Sequence, residues 1–566
     1  MNYSPCLLKI SITHFKLTDF YCMFVLLTYI IMAQLTTLDI TIVISWLVFM
    51  MAFGLIVSYR SKKKTANDYF LASNSIPWWA VGGSLIAANI SAEQFIGMSG
   101  SGYALGFAIA AYELMAAITL ILVAKFLLPV YINKKIYTMP QFLEERYNKN
   151  VRTGLAIFWV LLFVFVNITS VLYLGSLALE SITGISLIYC IIMLAIYAAT
   201  FSITGGLKAV VWTDVVQVIA LVLGGLVATY GVLQAVGGGL WEGLMALIDK
   251  APEKFDMIIE KGKTMIPDGK GGTKDAYMDL PGISVLIGGM WIANLYYWGN
   301  NQYIIQRALA SKSLDEAQKG AAFAAFIKVF LPLIIVIPGI AAYVLGAQLE
   351  KSDQAYSWVL NNHVGTGLKG ITLAALIAAI GSSVAAMVNS TSTIFTLDIY
   401  RHFFMKKASS EEAGQDTLVR VGKISALVAL IIGVIVAPSL GTLDQAFQFI
   451  QEFTGFISPG VVAIFLLGMF WKKTSARAAF YAVLISIPLS TAFKFLTPGI
   501  PFIDRMGLCF LIIVALMMLV SYMDNKNNDD EKAIHFTTDM FKTSNTFNIM
   551  ALIITLMVAF LYYTFW

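Results

Sequence analysis

Charged residues are scarce in this chain. Asp, Glu, Lys and Arg make up 13% of its 566 residues and hydrophobic residues 58%, whereas soluble globular proteins carry about 25% charged residues. Several soluble domains would therefore lack the polar surface that must face water. The 38 basic and 33 acidic residues leave a net charge of +5, which over this length forms no basic stripe and argues against nucleic-acid binding.

Residues for metal, redox or nucleotide chemistry are also few. The chain has four cysteines without a CxxC motif and four scattered histidines, so no zinc, haem or disulfide framework is indicated. The stretch 262–264 (GKT) resembles the end of a P-loop, but Met257 occupies the position of the required first glycine. No nucleophile–base pair is recognisable. We therefore expect that the protein is not an enzyme.

Long apolar runs are abundant instead. Many reach about 20 residues with few charges, enough to cross a hydrocarbon core of about 30 Å, and they lack the ten-residue alternation of β-barrels. The sequence predicts an all-α polytopic membrane protein with about fourteen transmembrane helices. The predicted spans are 37–59, 77–106, 108–131, 152–181, 184–204, 209–235, 281–307, 320–347, 366–398, 418–438, 442–471, 475–497, 505–523 and 547–566.

Basic residues alternate between the loops. Residues 60–64, 134–149, 312–319, 401–407 and 472–477 carry Lys and Arg, whereas 182–184 and 439–441 carry none. Because Lys and Arg favour cytoplasmic loops, we expect the basic loops in the cytoplasm and both termini outside. The expected location is the cell (inner) membrane.

Two polar, interrupted helices divide the chain. The second and seventh predicted spans each have a polar centre and each begins a block of five spans, 77–235 and 281–471. Paired broken helices in corresponding positions favour an inverted-repeat transporter with its site near the midplane. The other predicted regions are an N-terminal extension (1–36), an extra first helix (37–59), an extracellular loop (236–280) and three C-terminal helices (475–566). We interpret residues 1–31 as a start-site artefact, with translation beginning at Met32.

Polar side chains within the predicted spans mark a candidate site. Glu113 and Lys328 lie in apolar helices, where each charge is costly. They are interpreted either as a structural ion pair, with the lysine extending toward an interface, or as groups lining a ligand cavity. The amides of the spans both donate and accept hydrogen bonds, which suits a neutral polyol, although amides also link helices. These amides are Asn89, Gln94, Asn294, Gln448 and Gln451.

Aromatic and hydroxyl side chains complete this pattern. Tyr296, Tyr297 and Trp298 offer flat apolar faces beside the amides, although such rings also pack in ordinary cores. Ser382 and Ser383 in the ninth span bond either to the preceding turn or to a sodium ion at a half-helix end.

Four segments resemble the sodium/solute symporter family, and the resemblance extends from about residue 37 to the end. They are 87–97 (AANISAEQFIG), 205–214 (GGLKAVVWTD), 294–298 (NLYYW) and 447–452 (FQFIQE). The resemblance implies a LeuT-like 5+5 inverted repeat, with one helix before the ten-helix core and three after it. It also implies symport of sodium with a hexose, galactose or glucose.

Site residues follow from this resemblance position by position. It implies a substrate site of Gln94, Glu113, Asn294, Tyr297, Lys328 and Gln451. It implies an outer gate formed by Met98, Tyr112 and Phe447 and an inner gate at Tyr297, next to Trp298. It implies a sodium site from the carbonyls of Ala87, Ile90 and Ala379 and the hydroxyls of Ser382 and Ser383, with Asp214 on the sodium exit route. The chain departs from the family at Ala116, where the family has a sugar-binding serine.

Other interpretations remain open at this point. A symporter of the same family could carry an amino acid, sialic acid or a nucleoside, and Lys328 would then face a carboxylate. A sugar sensor would bind its ligand without transport. The expected partners are the sugar, the co-transported sodium ion and the lipid bilayer, and a monomer is not distinguished from a dimer.

Overall fold

The computed structural model describes residues 35–60, 74–136, 138–204, 207–267, 272–404, 411–442, 445–525 and 529–566. The proposed start at Met32 and the segment before it lie outside these residues. Helices dominate the described chain. Those of six or more residues are α1 (Thr37–Arg60), α2 (Trp78–Asn89), α3 (Ser99–Leu105), α4 (Ala111–Leu122), α5 (Leu128–Asn133), α6 (Met139–Arg146), α7 (Lys149–Leu162), α8 (Thr169–Thr183), α9 (Leu187–Thr204), α10 (Leu207–Gly237), α11 (Leu240–Lys250), α12 (Met290–Leu295), α13 (Gln302–Leu309), α14 (Leu314–Val344), α15 (Ala355–His363), α16 (Leu368–Ile394), α17 (Glu411–Val436), α18 (Ala446–Thr454), α19 (Ser458–Phe470), α20 (Ala476–Leu496), α21 (Phe502–Asn525) and α22 (Asn545–Thr564).

Wider π-helical turns join several of these helices into longer rods. They are Glu93–Met98, Val123–Leu127, Phe163–Ile168, Tyr296–Asn300 and Phe395–Tyr400. Such turns are frequent at functional sites, and two of them, Glu93–Met98 and Tyr296–Asn300, overlap the polar segments singled out in the sequence.

The predicted count of fourteen spans is not confirmed. Among the described residues, ten helical stretches are long and apolar enough to cross a bilayer, and the bent pair α18 and α19, at 45°, would make eleven. Three predicted spans fall short of this length. The helix α2 stops after 12 residues, the apolar part of α9 covers Leu187–Ala199, and the segment 281–307 is divided into short helices.

The first broken helix is interrupted by side-chain hydrogen bonding. After α2 ends at Asn89, Ile90 adopts an extended conformation with φ −73° and ψ 98°. The Ser91 N–H donates to Oε1 of Gln94 at 3.2 Å, whereas in a continuous helix it would donate to the carbonyl of Ala87. The Ser91 hydroxyl in turn accepts from the Glu93 N–H at 3.2 Å, and such local serine bonds commonly compete with helical hydrogen bonds. Helical structure resumes at Glu93.

The second broken helix turns at glycines and at an extended asparagine. A side chain at Gly289 would overlap the backbone carbonyl of Ile503 in α21, so only glycine permits this approach. Asn301, with φ −85° and ψ 122°, then separates the π-helical turn Tyr296–Asn300 from α13.

The helix contacts in the two blocks correspond to each other: a contact made by a helix of the first block has a counterpart made by the equivalent helix of the second. The first broken helix, through α2 and α3, packs along α14, and in the other block α12 packs against α4. Likewise α10 packs against α16, while α18 packs against α8 and the turn Phe163–Ile168. Each contact has its counterpart when the blocks are exchanged, which is the arrangement expected of an inverted repeat.

The predicted loop 236–280 contains secondary structure. It holds α11 and a two-stranded antiparallel hairpin, β1 (Met265–Pro267) and β2 (Thr273–Asp275), in which Ile266 pairs with Lys274. At the other end of the chain, α20 and α21 pack together, α21 contacts α19, and α22 lies against α14.

Candidate substrate and sodium site

A buried ion pair lies where the first broken helix meets α4 and α14. Lys328 is 1% exposed, and its Nζ donates to Oε2 of Glu113 and to Oδ1 of Asn89. The interhelical pair considered from the sequence is therefore present. A buried charge pair stabilises little by itself, but losing one partner leaves the other uncompensated. The positive and negative charges of this cluster balance.

A chain of hydrogen bonds runs from this pair to an aromatic wall. Nδ2 of Asn89 donates to the Tyr297 hydroxyl at 3.2 Å, and the Tyr303 hydroxyl donates to the same oxygen at 2.9 Å. The ring of Trp298 lies 5.1 Å from that of Tyr297 and 5.1 Å from Nζ of Lys328. The break at Asn89 thus connects a cation, a carboxylate and aromatic rings that meet edge to face.

The other predicted substrate residues are near these elements but bond elsewhere. Gln94 is buried and accepts hydrogen bonds from the backbone and hydroxyl of Ser91. Asn294 is also buried and donates to the carbonyl of Met290, one turn earlier, at 3.1 Å. Gln451 lies half-buried on α18. The structure therefore brings Glu113, Lys328 and Tyr297 into one network and leaves the three amides outside it.

The predicted outer gate residues pack into a closed apolar layer. The Tyr112 ring contacts that of Phe447 edge-on, with centroids 5.1 Å apart, and its hydroxyl donates to Oε1 of Gln448 at 3.5 Å. Met98 is fully buried, and its neighbour Gly97 lies close against Phe447. These contacts join α4 and the turn Glu93–Met98 to α18.

The predicted sodium ligands lie on two helices that contact each other. Ala87 and Ile90 are at the break that ends α2, and Ala379, Ser382 and Ser383 are on α16. Ala87, Ile90 and Ala379 are buried. Because the Ser91 N–H donates to Gln94, the carbonyl of Ala87 is released from its helical partner. Ser383 is 3% exposed, and no hydrogen-bond partner for its Oγ lies among the described residues. A buried, unpaired hydroxyl is costly, so an oxygen-binding cation such as sodium fits this position.

Asp214 joins four helical elements in a second buried network. Its carboxylate accepts hydrogen bonds from Ser84 at 2.6 Å and from Ser382 at 3.0 Å, and it pairs with Arg307 at 3.1 Å. Ser382 thus bonds to Asp214, whereas Ser383 is unpaired. The network connects α2, α10, α13 and α16 on the side of the basic loops.

Sequence reasoning counted Asn89 among the candidate amides, but the family resemblance did not place it in the substrate site, and Tyr303 and Arg307 were not singled out. Asn89 was recognisable as an amide next to the break. Arg307 was recognisable as a cation at the end of the predicted span 281–307.

Apolar helices, two opposed broken helices and a charge-balanced polar cluster beside them define a membrane transporter with a LeuT-like inverted repeat. Solved structures share this fold. One is a sodium-coupled sialic acid symporter in a substrate-bound outward-open state, with TM-score 0.71, 22% identity, and 86% of this chain and 98% of that chain covered. Another is a nucleobase-cation-symport-1 family transporter in a closed conformation, with TM-score 0.50, 15% identity, and 80% and 94% covered.

The chain belongs to the Sodium:solute symporter family, whose model matches residues 69–486. It is 50% identical to the sodium/glucose cotransporter of Vibrio parahaemolyticus over 94% of this chain and 99% of that protein. It is 31% identical to the human sodium/myo-inositol cotransporter 2, with 80% of this chain and 69% of that protein covered. The chain is therefore a multi-pass sodium-coupled solute symporter and not an enzyme.

Proposed function

We propose that this symporter couples inward sodium movement to the uptake of a hexose, glucose or galactose, by alternating access. The observation that carries the proposal is the charge balance of the cluster around Lys328. Glu113 neutralises the lysine, and the neighbouring Asn89 and Tyr297 are neutral. A neutral polyol can exchange hydrogen bonds with such a cluster without adding charge.

This balance also argues against an acidic solute. A sialic acid or amino acid carboxylate needs a cation that is not already paired, and Lys328 contacts both Glu113 and Asn89. The 50% identity to a protein named sodium/glucose cotransporter supports the same solute class.

Sodium is proposed to bind between the first broken helix and α16. Its ligands would be the carbonyls of Ala87, Ile90 and Ala379 with the hydroxyls of Ser382 and Ser383. Bound sodium would hold the break open and organise Asn89, which contacts Lys328 and Tyr297. Gln94, Asn294 and Gln451 would turn toward the sugar when it enters.

Opening on each side is proposed to involve a different network. Toward the outside, the layer of Met98, Tyr112 and Phe447 must separate. Toward the cytoplasm, Tyr297 and Trp298 must move, and Asp214 lies on the route by which sodium leaves. We place the basic loops in the cytoplasm, both termini outside and the protein in the inner membrane, because Lys and Arg concentrate in alternate loops.

Uptake into proteoliposomes tests this proposal. Labelled glucose and galactose should accumulate under an inward sodium gradient and generate current, since sodium would be the only charge carried. A membrane potential supplies about 2.3 kcal/mol per charge per 100 mV. A competition panel should contain myo-inositol, sialic acid, an amino acid and a nucleoside. Equal uptake in potassium would refute sodium coupling, and competition by sialic acid alone would refute the hexose assignment.

Counterflow separates transport from sensing. A carrier preloaded with unlabelled hexose exchanges it for labelled hexose, whereas a sensor binds the sugar without exchange.

A further inference from the structure

The helix α11, in the loop after α10, has three distinct faces. Gly243 and Leu247 are buried, and Glu242 and Asp249 form a polar, exposed face. Between these faces lies an apolar arc about 140° wide, by the 100° advance of an α-helix per residue. It consists of Leu240, Trp241, Leu244, Met245 and Ile248. Leu244 and Ile248 are half-buried and pack partly against the core. Trp241 is 69% exposed, Leu240 55% and Met245 42%, so these three side chains form the exposed part of the arc.

The orientation of this arc is fixed by backbone contact with α10. Gly238, with φ +84°, permits the sharp turn between the two helices. A side chain at Gly243 would overlap the carbonyl of Leu233, so the helices touch through their backbones. Nζ of Lys250 donates to the carbonyl of Val236 at 3.0 Å and caps the end of α10. The arc therefore cannot turn inward without breaking these contacts.

The arc continues an apolar surface that already faces lipid. α10 contains a candidate membrane span, Val210–Gly237, half of whose residues are buried in the protein. Its outward side chains Ile219, Leu223, Leu226 and Tyr230 are 46–57% exposed, as expected for side chains in contact with acyl chains. α11 begins three residues after α10 ends. Its apolar arc thus lies where the span leaves the hydrocarbon core.

We propose that α11 is an interfacial helix that inserts Leu240, Trp241 and Met245 between the lipids of the outer leaflet. Amphipathic helices with tryptophan on the apolar face occupy this depth. Its charged residues are Glu242, Asp249 and Lys250, so anionic lipid adds no attraction and insertion is apolar. The occupant of the arc is therefore phospholipid of any headgroup charge.

The segment that follows α11 connects this anchor to α3. Four residues after α11, Nζ of Lys254 donates to the carbonyls of Tyr103 at 3.1 Å and Ala104 at 2.7 Å. These carbonyls end α3, the outer half of the first broken helix. An anchored α11 holds Lys254 at a fixed depth and so limits how far α3 moves outward.

Site-specific fluorescence tests the proposal in the full-length chain reconstituted in phosphatidylcholine vesicles. The four native cysteines are replaced by alanine, and an NBD label is attached to Trp241→Cys or Met245→Cys. Glu242→Cys and Asp249→Cys are the matched controls on the polar face of the same helix. Labels at 241 and 245 should emit at shorter wavelength and be quenched several-fold more by doxyl lipids than labels at 242 and 249. Aqueous iodide should give the reverse order.

Two results would overturn the proposal. Strong iodide quenching at 241 and 245 would mean that the arc faces water. Protection of both positions from iodide and from doxyl lipid, relieved by diluting the protein in lipid, would mean that a second copy covers it. Two labelled positions are used so that the misfolding of one variant, detected by size-exclusion chromatography, still leaves a decisive measurement.

Discussion

Variants that break the Lys328–Glu113 pair should show how much the pair contributes to protein stability and how much to substrate binding. Lys328 and Glu113 are 1% and 3% exposed, and the lysine also bonds to Asn89. Removing one member of a buried pair typically costs about 3–5 kcal/mol, because the other charge remains buried, whereas replacing both is close to neutral. We expect Lys328→Met and Glu113→Gln each to lower stability by this amount. The double variant should lose far less than their sum.

Thermal denaturation of the detergent-solubilised protein, without sugar, measures this non-additivity. Lys319→Met provides the matched control on α14, because Lys319 pairs with Asp315 at 2.6 Å in a more exposed position and should change stability by less than about 1 kcal/mol. A double variant whose loss of stability equals the sum of the two single losses would refute the pairing. If the folded double variant transports hexose as the wild type does, the pair is only an interhelical link and the substrate site is wrongly placed.

Three further changes have distinct expected outcomes. Ser383→Ala should raise the sodium concentration needed for half-maximal uptake while leaving hexose affinity at saturating sodium unchanged; unchanged sodium dependence would exclude Ser383 as a ligand. Ala116→Ser should tighten hexose binding two- to tenfold, since a neutral hydrogen bond contributes about 0.5–1.5 kcal/mol, and a deoxy sugar lacking the partner hydroxyl should show no gain. Burial lowers the pKa of Lys254 to about 8, so between about pH 8 and its ordinary pKa the unfolded chain binds more protons and folded stability rises with pH. The rise is at most about 1.4 kcal/mol per pH unit, and thermal unfolding of Lys254→Arg should lack it.

The sequence was sufficient for the class of fold because its signals are local. Apolar runs, basic loops and the polar centres near Asn89 and Asn294 are all visible within short windows. The count of spans could not be derived in the same way. An apolar run such as 281–307 reads as one span, but the breaks at Gly289 and Asn301 divide it.

Pairings between distant residues were harder to predict. Glu113 and Lys328 were recognised individually as charges in spans, but their contact joins positions 215 residues apart. Arg307 and Asp214 meet in the same way, across 93 residues. Such contacts depend on how helices of the two repeats pack, which no periodicity within one helix encodes. The amphipathic face of α11 was hidden because its segment was read as a hydrophilic loop.

The contact between Gly289 and Ile503 changes how the three C-terminal helices should be regarded. α21 touches the backbone of the second broken helix at its bend, where any side chain would collide. The bend of that helix is therefore packed partly against residues outside both repeats. A protein shortened to the ten-helix core would lack this contact, and the bend at Gly289 would lose the backbone that packs against it. α21 therefore helps to position the second broken helix, so chimaeras between related symporters should exchange 281–307 and α21 together.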